Sequence, residues 1–548
     1  MRFLISFLSI FTFLACTNQP TVYWKPYDEV AEIQANQTHE NPRMQFQLIQ
    51  SKLLDKNQIW VPFETALKRF GEDAYQALRP LIVEQDIPSL QAHIQAGSLS
   101  YEQLVLFYLY RIRKLESNPN TTLHAILALN PKVIEQAKAM DRQQQKKQHP
   151  IYGMPILLKD NINTQDMPTT AGAALLQTHF PENDAFVVSQ LQAKGALILG
   201  KVNLSEWAYY FCDGCPLGYS AVGGQTLNPY GRRIFETGGS SSGSGVAVAA
   251  NYAVAAVGSE TSGSILSPSG QNAVVGLKPT IGLVSRTGIV PISSTLDTSG
   301  PMTKSVVDNA ILLDAMVGKD IEDPATSKVP DIKIDYLQAS QNRNFTGYRF
   351  GAIKSLVAAD SLYREAINSL RDHGAVVIEY ESPDIVFEGF LSLLNADMKT
   401  DLPSYFDNQA NPAFAGYDVQ SVTDFNRQDS ILRMPYGQGR LEGVIAEDIT
   451  DEKLKTVIDR LNKEATSFFK EPMETHNLDA VLTINSYHAA YAAAAFYPCL
   501  TIPMGYSELG EPKNLTFVTS SFEEQKLYSL GAAYEALTRH RQSPKGYE

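Results

Sequence analysis

Cysteine is scarce: four in 548 residues cannot supply a disulfide framework. Positive charge is in deficit, with 46 Lys and Arg against 59 Asp and Glu and a net charge of -13. That balance lacks the clustered cations that neutralise phosphates, so a general nucleic-acid binder is excluded. No apolar run reaches the ~20 residues a helix needs to span a bilayer. What remains, with 44% hydrophobic residues, is a chain able to bury a large core as one big domain or several smaller ones.

The longest apolar run stands at the start, MRFLISFLSIFTFLACTNQP, where an early Arg2 precedes about a dozen apolar residues and then Ala15 and Cys16. Residues 1–15 read as an export signal. A small residue directly before Cys resembles the bacterial lipoprotein processing site, with Cys16 as the lipid-bearing first residue of the mature chain. Phe13 departs from that pattern, and an ordinary signal peptide cleaved nearby is the alternative. The expected location is the cell envelope, lipid-anchored at Cys16, or else soluble periplasmic or secreted. Residues 16–40, polar and rich in Asn and Gln, suit a tether. Residues 41–86 read as a helical extension and 87–548 as the main domain.

Within that domain Ser100 and Gln103 form a capping box ahead of a helix bearing Leu104, Phe107, Tyr108, Ile112 and Leu115 on one face. A second helix is expected over residues 131–145. Short apolar strands follow at 154–158, 196–200, 253–257, 348–353, 375–380 and 480–484, alternating with helices. This predicts an α/β fold: a single large domain with a mixed, mostly buried, twisted sheet covered by helices. Residues 381–450, irregular and rich in aromatics, read as an insertion facing substrate, with Asn395, Asp397, Tyr405 and Phe406 as entrance or packing residues. Cys212-Asp-Gly-Cys215 has spacing for a disulfide, for free thiols or for half a metal site, but no second Cys or His pair accompanies it.

The stretch GGSSSGSG, Gly238 to Gly245, is the main chemical puzzle. No Lys follows it, so it is not a phosphate-binding loop. The buried-looking GVAVAANYAVAAV behind it excludes a linker. Gly239-Ser240-Ser241-Ser242-Gly243 matches a nucleophile elbow with Ser241 central, yet the segment before it is no strand, and His373, His476, His488 and His540 have no distinctive flank. A second turn, GSETSGSILSPSG, follows the apolar run 253–257 and offers Ser264, after Gly263, as a nucleophile. Upstream, Lys159 ends the apolar run 154–158; burial there lowers an amine's pKa and lets it accept a proton. The plainer alternative is an ion pair of Lys159 with Asp160 or another carboxylate.

Together these pieces resemble the amidase signature family, from about Ile87 to the C-terminus. The matching motifs are GMPILLKDN, GGQTLNPYG (Gly223 to Gly231), GGSSSGS, GSETSGSI, GLKPTIGLVSRTGIVP (Gly276 to Pro291) and FYPCLTIPMG (Phe496 to Gly505). The likeness is greatest to the branch of bacterial peptide amidases. It implies a Ser-Ser-Lys triad with Ser264 as nucleophile, Ser240 as bridging serine after a cis Gly239-Ser240 bond, and Lys159 as base. It implies an oxyanion hole from the backbone N–H groups of Thr261, Ser262, Gly263 and Ser264, with Ser241 in a supporting hydrogen bond and Asp160 and Ser242 holding geometry. The implied activity is hydrolysis of a carboxamide such as a peptide or amino-acid amide through an acyl-enzyme, with no cofactor or metal. Ser262 and Leu266 depart from residues common in relatives and leave substrate preference open. A glutamine-dependent transamidation subunit shares the fold but works in the cytosol, which the export signal opposes. Two other readings stand beside this one: an inactive surface binding lipoprotein, and a His-dependent serine esterase using Ser241.

Overall fold

The computed structural model describes residues 21–143, 148–330 and 334–548. The leader, Ala15 and Cys16 lie outside these residues, as does most of the polar end of the second helix, which spans Val133–Arg142. Among the described residues, no helix is long and apolar enough to cross a membrane.

Eleven strands form one mixed sheet: β1 (Ile126–Leu129), β2 (Pro155–Lys159), β3 (Leu197–Val202), β4 (Ala255–Glu260), β5 (Val275–Lys278), β6 (Thr298–Thr303), β7 (Arg349–Ile353), β8 (Val376–Tyr380), β9 (Ala480–Ile484), β10 (Cys499–Tyr506) and β11 (Pro512–Val518). Their order is β1-β3-β2-β4-β6-β5-β10-β11-β9-β7-β8. All six strands expected from sequence are present, each within two residues of its expected start and three of its expected end. The central strands β2, β3 and β4 are buried along their whole length because helices cover both faces, which is why they read as continuous apolar runs.

Four helices matter for the site. α1 (Tyr101–Glu116) begins with the expected capping box: Gln103 N–H donates to Ser100 Oγ at 3.1 Å, and Ser100 N–H donates back to Gln103 Oε1 at 2.9 Å. α2 (Ser242–Ala249) consists of small residues and valines, and all eight are buried. α3 (Leu266–Gln271) follows the second serine-glycine turn. α4 (Phe390–Asn408) opens the insertion and carries Asn395, Asp397, Tyr405 and Phe406, all buried.

One continuous apolar cluster runs from Met44 to Tyr547, and a second lies beneath the insertion. The extension at 41–86 therefore shares the core of the main domain: Phe46, Trp60, Phe63 and Leu67 are all within it. The expected tether needs correcting from residue 21 onward. Residues Val30–Asn36 are helical, and Trp24 and Glu29 are buried. Their anchors are polar contacts that composition conceals. Asn57 accepts the N–H groups of Tyr23 and Trp24 at 2.9 Å, Gln50 N–H donates to Glu29 at 2.7 Å, and the Lys56 ammonium sits 4.4 Å from the Trp24 ring centre.

Candidate active site

Strands β3, β2 and β4 are parallel neighbours, so their C-terminal ends emerge on one edge of the sheet. The register sets Leu158 beside Val257. Lys159 therefore arrives level with Gly258, and its amine meets the hydroxyl of Ser259, the next residue of β4. Ligand and catalytic groups in α/β sheets gather at such strand ends.

Lys159 is fully buried. Its Nζ lies 2.7 Å from Ser240 Oγ, 2.9 Å from Ser259 Oγ and 3.0 Å from the Ser259 carbonyl. Burial pulls the amine down to about 7, against the opposing pull of Asp297 and Glu260. The ion pair with Asp160 that the sequence allowed is not made. Asp160 instead faces Lys201 at the end of β3, 3.1 Å away, and both side chains are buried. Pairing Asp160 with the neighbouring strand's lysine leaves Lys159 with no carboxylate among its hydrogen-bond partners, and burial without a paired counter-charge favours the uncharged amine.

The Gly239-Ser240 peptide bond is cis. Gly238 has a φ of 64°, and a Cβ there would lie 2.7 Å from the Pro268 backbone, so only glycine fits. Ser205 N–H holds the Ser240 carbonyl at 3.0 Å. Ser241 is fully buried, and its hydroxyl donates to the Ser259 carbonyl at 3.0 Å while accepting the Ser259 N–H at 3.2 Å. Its own N–H donates to the Ser264 carbonyl at 3.1 Å. Ser241 thus rivets the glycine-serine stretch to β4 and to the second turn. Ser242 Oγ donates to the Gly238 carbonyl at 2.7 Å and closes the loop on itself.

Ser264 differs from these serines. It is 8% exposed where Ser240 and Ser241 are at 0%, and its hydroxyl makes no side-chain hydrogen bond among the described residues, the Lys159 amine binding Ser240 and Ser259 instead. Gly263 before it has a φ of 87°, and its Cα faces Ser486 and Ala489, where an added Cβ would sit 3.3 and 3.5 Å from their Cβ atoms.

Glu260, at the end of β4, was not singled out by the sequence. Its buried carboxylate accepts the N–H groups of Gly263 at 2.7 Å, Ile265 at 2.6 Å and Leu266 at 3.0 Å. Burial raises its pKa, and the Lys278 ammonium and these three donors oppose that rise. One expectation changes as a result. The Gly263 N–H is already committed to Glu260 and is not a free oxyanion donor, while those of Thr261, Ser262 and Ser264 carry no hydrogen bond among the described residues. The only signal available in advance was an acidic residue inside an otherwise neutral turn, GSETSGS.

No histidine among the described residues hydrogen-bonds to Ser240, Ser241 or Ser264. His488, the nearest in sequence to the Ser486–Ala489 wall, shares a hydrogen bond with Thr483 Oγ1 at 2.6 Å, stacks on Phe468 and is pushed down to about 4 by burial. Cys212 and Cys215 form a disulfide, so the half-metal-site reading is not realised. Among the described residues no three His, Cys, Asp or Glu side chains converge as a metal site.

The insertion is fastened to this edge. Tyr405 OH donates to Asn163 Oδ1 at 2.7 Å, Gln409 Oε1 accepts Gly288 N–H at 2.6 Å, and Asn395 Oδ1 accepts Tyr210 OH at 2.6 Å. Asp397 takes the Thr295 N–H and the Ser293 hydroxyl. Phe406 packs with Phe414 and Tyr417 and serves the core.

A mixed-sheet α/β protein with a charge-depleted lysine and a cluster of serines at adjoining strand ends has the parts of an acyl-transfer hydrolase. Comparison with known proteins carries this further. The family model for amidases matches residues 103–528. A probable amidase of Arabidopsis thaliana is 35% identical over 480 residues, covering 85% of this chain and 92% of that protein. The crystal structure of an amidase family protein from Bacillus anthracis superposes with a TM-score of 0.86 at 36% identity, covering 91% of this chain and 99% of that one. The peptide amidase from Stenotrophomonas maltophilia superposes with a TM-score of 0.79 at 37% identity over 84% of this chain and 98% of its own. The chain belongs to the amidase family and is an amide hydrolase.

Proposed function

We propose that Ser264 is the nucleophile, that Ser240 relays its proton to Lys159, and that the substrate is a peptide amide, an amino-acid amide or a similar small carboxamide. The observation that carries this reading is the buried Lys159 amine, 2.7 Å from Ser240 Oγ and without a carboxylate partner. Neutral Lys159 accepts the Ser240 proton as Ser240 accepts that of Ser264, and Ser264 Oγ bonds to the amide carbon. The oxyanion takes hydrogen bonds from the N–H groups of Thr261, Ser262 and Ser264, each donor being worth a factor of about 10² to 10³ in rate. The relay then runs backward and protonates the leaving nitrogen. The C–N bond breaks, ammonia or an amine departs, and an ester joins the acyl group to Ser264. Water, deprotonated through the same relay, releases the acid and restores the serine. Catalytic hydrogen bonds that are open in an empty site commonly tighten on substrate binding, and the free Ser264 hydroxyl fits that pattern.

The reading extends to location: an exported chain, lipid-anchored at Cys16. The apolar leader with Ala15-Cys16 supports export, and the Cys212–Cys215 disulfide suits an oxidising compartment.

The deciding experiment incubates wild type, Ser264→Ala and Ser241→Ala with a panel of peptide and amino-acid amides and follows products by mass. Acid and ammonia from wild type and Ser241→Ala, none from Ser264→Ala, and an acyl adduct on the peptide containing Ser264 would support the assignment. Turnover by Ser264→Ala equal to wild type would sink it. For location, labelled fatty acid should enter the wild-type chain but not Cys16→Ala; a chain found unlabelled in the cytosol would overturn the anchor.

A further inference from the structure

Beside the serine cluster lies a recess of about 230 Å³ that the proposed chemistry does not use. Asn161, Ser259 and Thr261 line it on the triad side, and Asp297, Asp401 and Tyr405 are among the residues that line it elsewhere. The Ser259 hydroxyl is the same one that contacts Lys159 Nζ. Thr261 lies three residues before Ser264. The recess thus adjoins the reacting centre on its lysine side.

Its charge is unbalanced. Among the described residues Arg286 is the one cation lining it, and its guanidinium is already committed to Asp323, with Nε 2.8 Å from Oδ2. Asp297 is held only by neutral donors: the Ile292 and Ser293 N–H groups at 2.8 and 2.9 Å, and the Thr261 hydroxyl. Asp401 accepts the Ser294 N–H at 2.5 Å. Glu322, exposed at the rim, adds another carboxylate. Burial raises the Asp401 carboxyl to about 6, and the charges of neighbouring Asp397 and Asp297 push the same way.

A second observation points to what is missing. Asn161 is 2% exposed, and its Nδ2 donates to Ser259 Oγ at 3.0 Å and to the Val290 carbonyl at 3.3 Å. Those two acceptors fix the amide's orientation, so Oδ1 can only accept, and it has no partner. A buried acceptor left unpaired is destabilising unless a ligand or water supplies a donor. The carboxylates do not converge as a metal site. Negative charge spread over a recess, with an unpaired acceptor on one of the residues lining it, matches an extended group rich in N–H donors better than a point ion.

We propose that this recess is a subsite for a cationic group of the amide substrate, an ammonium or guanidinium carried near the scissile carboxamide. The inference rests on the amide-hydrolase reading and narrows its substrate class to basic amides. Asp401, Asp297 and Glu322 supply the field, and Asn161 Oδ1 takes a hydrogen bond. The other titratable or charged groups facing it are the carboxylates of Asp397 and Asp323, the Arg286 guanidinium and, behind Ser259, the Lys159 amine, on which Asp297 and Glu260 act.

The test compares acetyl-alanyl-argininamide with its neutral isostere acetyl-alanyl-citrullinamide. Hydrolysis by wild type is measured at pH 5 to 8, and binding to Ser264→Ala is measured by calorimetry. The arginine amide is expected to be favoured by about tenfold or more in both measurements near pH 7.5, about 1.4 kcal/mol. The ratio should shrink below pH 6 as Asp401 is protonated, and should approach one in Asp401→Asn. Glu322→Gln, at the exposed rim, should lower it in part and guards against a folding defect in the first variant. Equal use and equal binding of the two amides would overturn the subsite while leaving the hydrolase reading intact. A preference that persists undiminished in Asp401→Asn/Glu322→Gln would also overturn it. Preferential binding of the arginine amide without hydrolysis of either would uphold the subsite and count against the hydrolase reading.

Discussion

Lys159 Nζ and Ser240 Oγ are 2.7 Å apart, both side chains are fully buried, and among the described residues the amine forms no ion pair. The amine is held at the end of β2, and the hydroxyl by the glycine turn before α2. An ordinary lysine near 10.4 would be neutral at pH 7 in only about one molecule in 2500. At about 7, roughly half are neutral.

The pH dependence follows directly. The neutral amine is the working base, so kcat/KM on an uncharged amide should rise from pH 5 through 7 and level off near pH 8. Stopped assays in constant-ionic-strength buffers would show it. A rate flat from pH 5 to 9 contradicts a lysine base, and Lys159→Ala should lose at least about 10²-fold, the usual share of a general base.

The serines should separate by role. Ser264→Ala should abolish the acyl adduct, and Ser240→Ala should slow its formation by about 10² to 10⁴ without preventing substrate binding. Ser241→Ala removes a fastening between the glycine turn and β4 and should act mainly on stability, by about 1 kcal/mol for a lost hydrogen bond. Rapid-quench mass spectrometry and thermal melting read the two effects apart. A dead Ser241→Ala beside an active Lys159→Ala would revive the histidine-dependent alternative.

Glu260→Gln tests the nucleophile turn. One amide oxygen cannot replace two carboxylate oxygens serving three N–H donors, so at least one donor is left facing an NH₂ group. The expected cost is about 1–3 kcal/mol in stability, with a fall in kcat larger than any rise in KM, because the turn that aims Ser264 is altered. Unchanged kcat would show that Glu260 has no part in shaping the turn.

Asp160→Ala should be far more disruptive than its distance from the substrate suggests. It leaves the Lys201 charge buried without its partner, and breaking such a pair costs about 3–5 kcal/mol. Denaturant unfolding measures this. A loss under 1 kcal/mol would mean that Lys201 is neutral or finds another partner.

The Cys212–Cys215 bond predicts that, of the three cysteines among the described residues, alkylation of the denatured chain labels Cys499 alone until a reductant is added. Labelling of Cys212 and Cys215 without reductant would refute it. Closing so short a loop stabilises the chain by at most about 2 kcal/mol, so reduction should lower the melting temperature only modestly.

Much of the site was legible in the chain. Lys159 stands out because an amine at the end of an apolar strand has few ways to be solvated, and the serine-glycine turns stand out because small residues are needed where backbones crowd. The strands were legible because burial on both faces makes them continuous apolar runs. Glu260 was not legible, since the amides that it holds are local but the turn that aims them at it is not. The packing of residues 21–40 was missed because it relies on scattered polar anchors such as Asn57 and Gln50, which leave no periodic pattern.

The sequence by itself determined which groups are present and in what order: one lysine ending β2, serines in two glycine-rich turns, and alternating strands and helices that commit the chain to a covered sheet. Only the tertiary structure decided how the charges pair. Parallel pairing brings the ends of β2, β3 and β4 together, so that Lys201 of β3, in register with Leu158, reaches Asp160 with its side chain and Ser259 of β4 reaches Lys159. One buried lysine therefore keeps its charge partner and the other has none. Coulomb energies and desolvation depend on distances across strands, which adjacency along the chain does not specify.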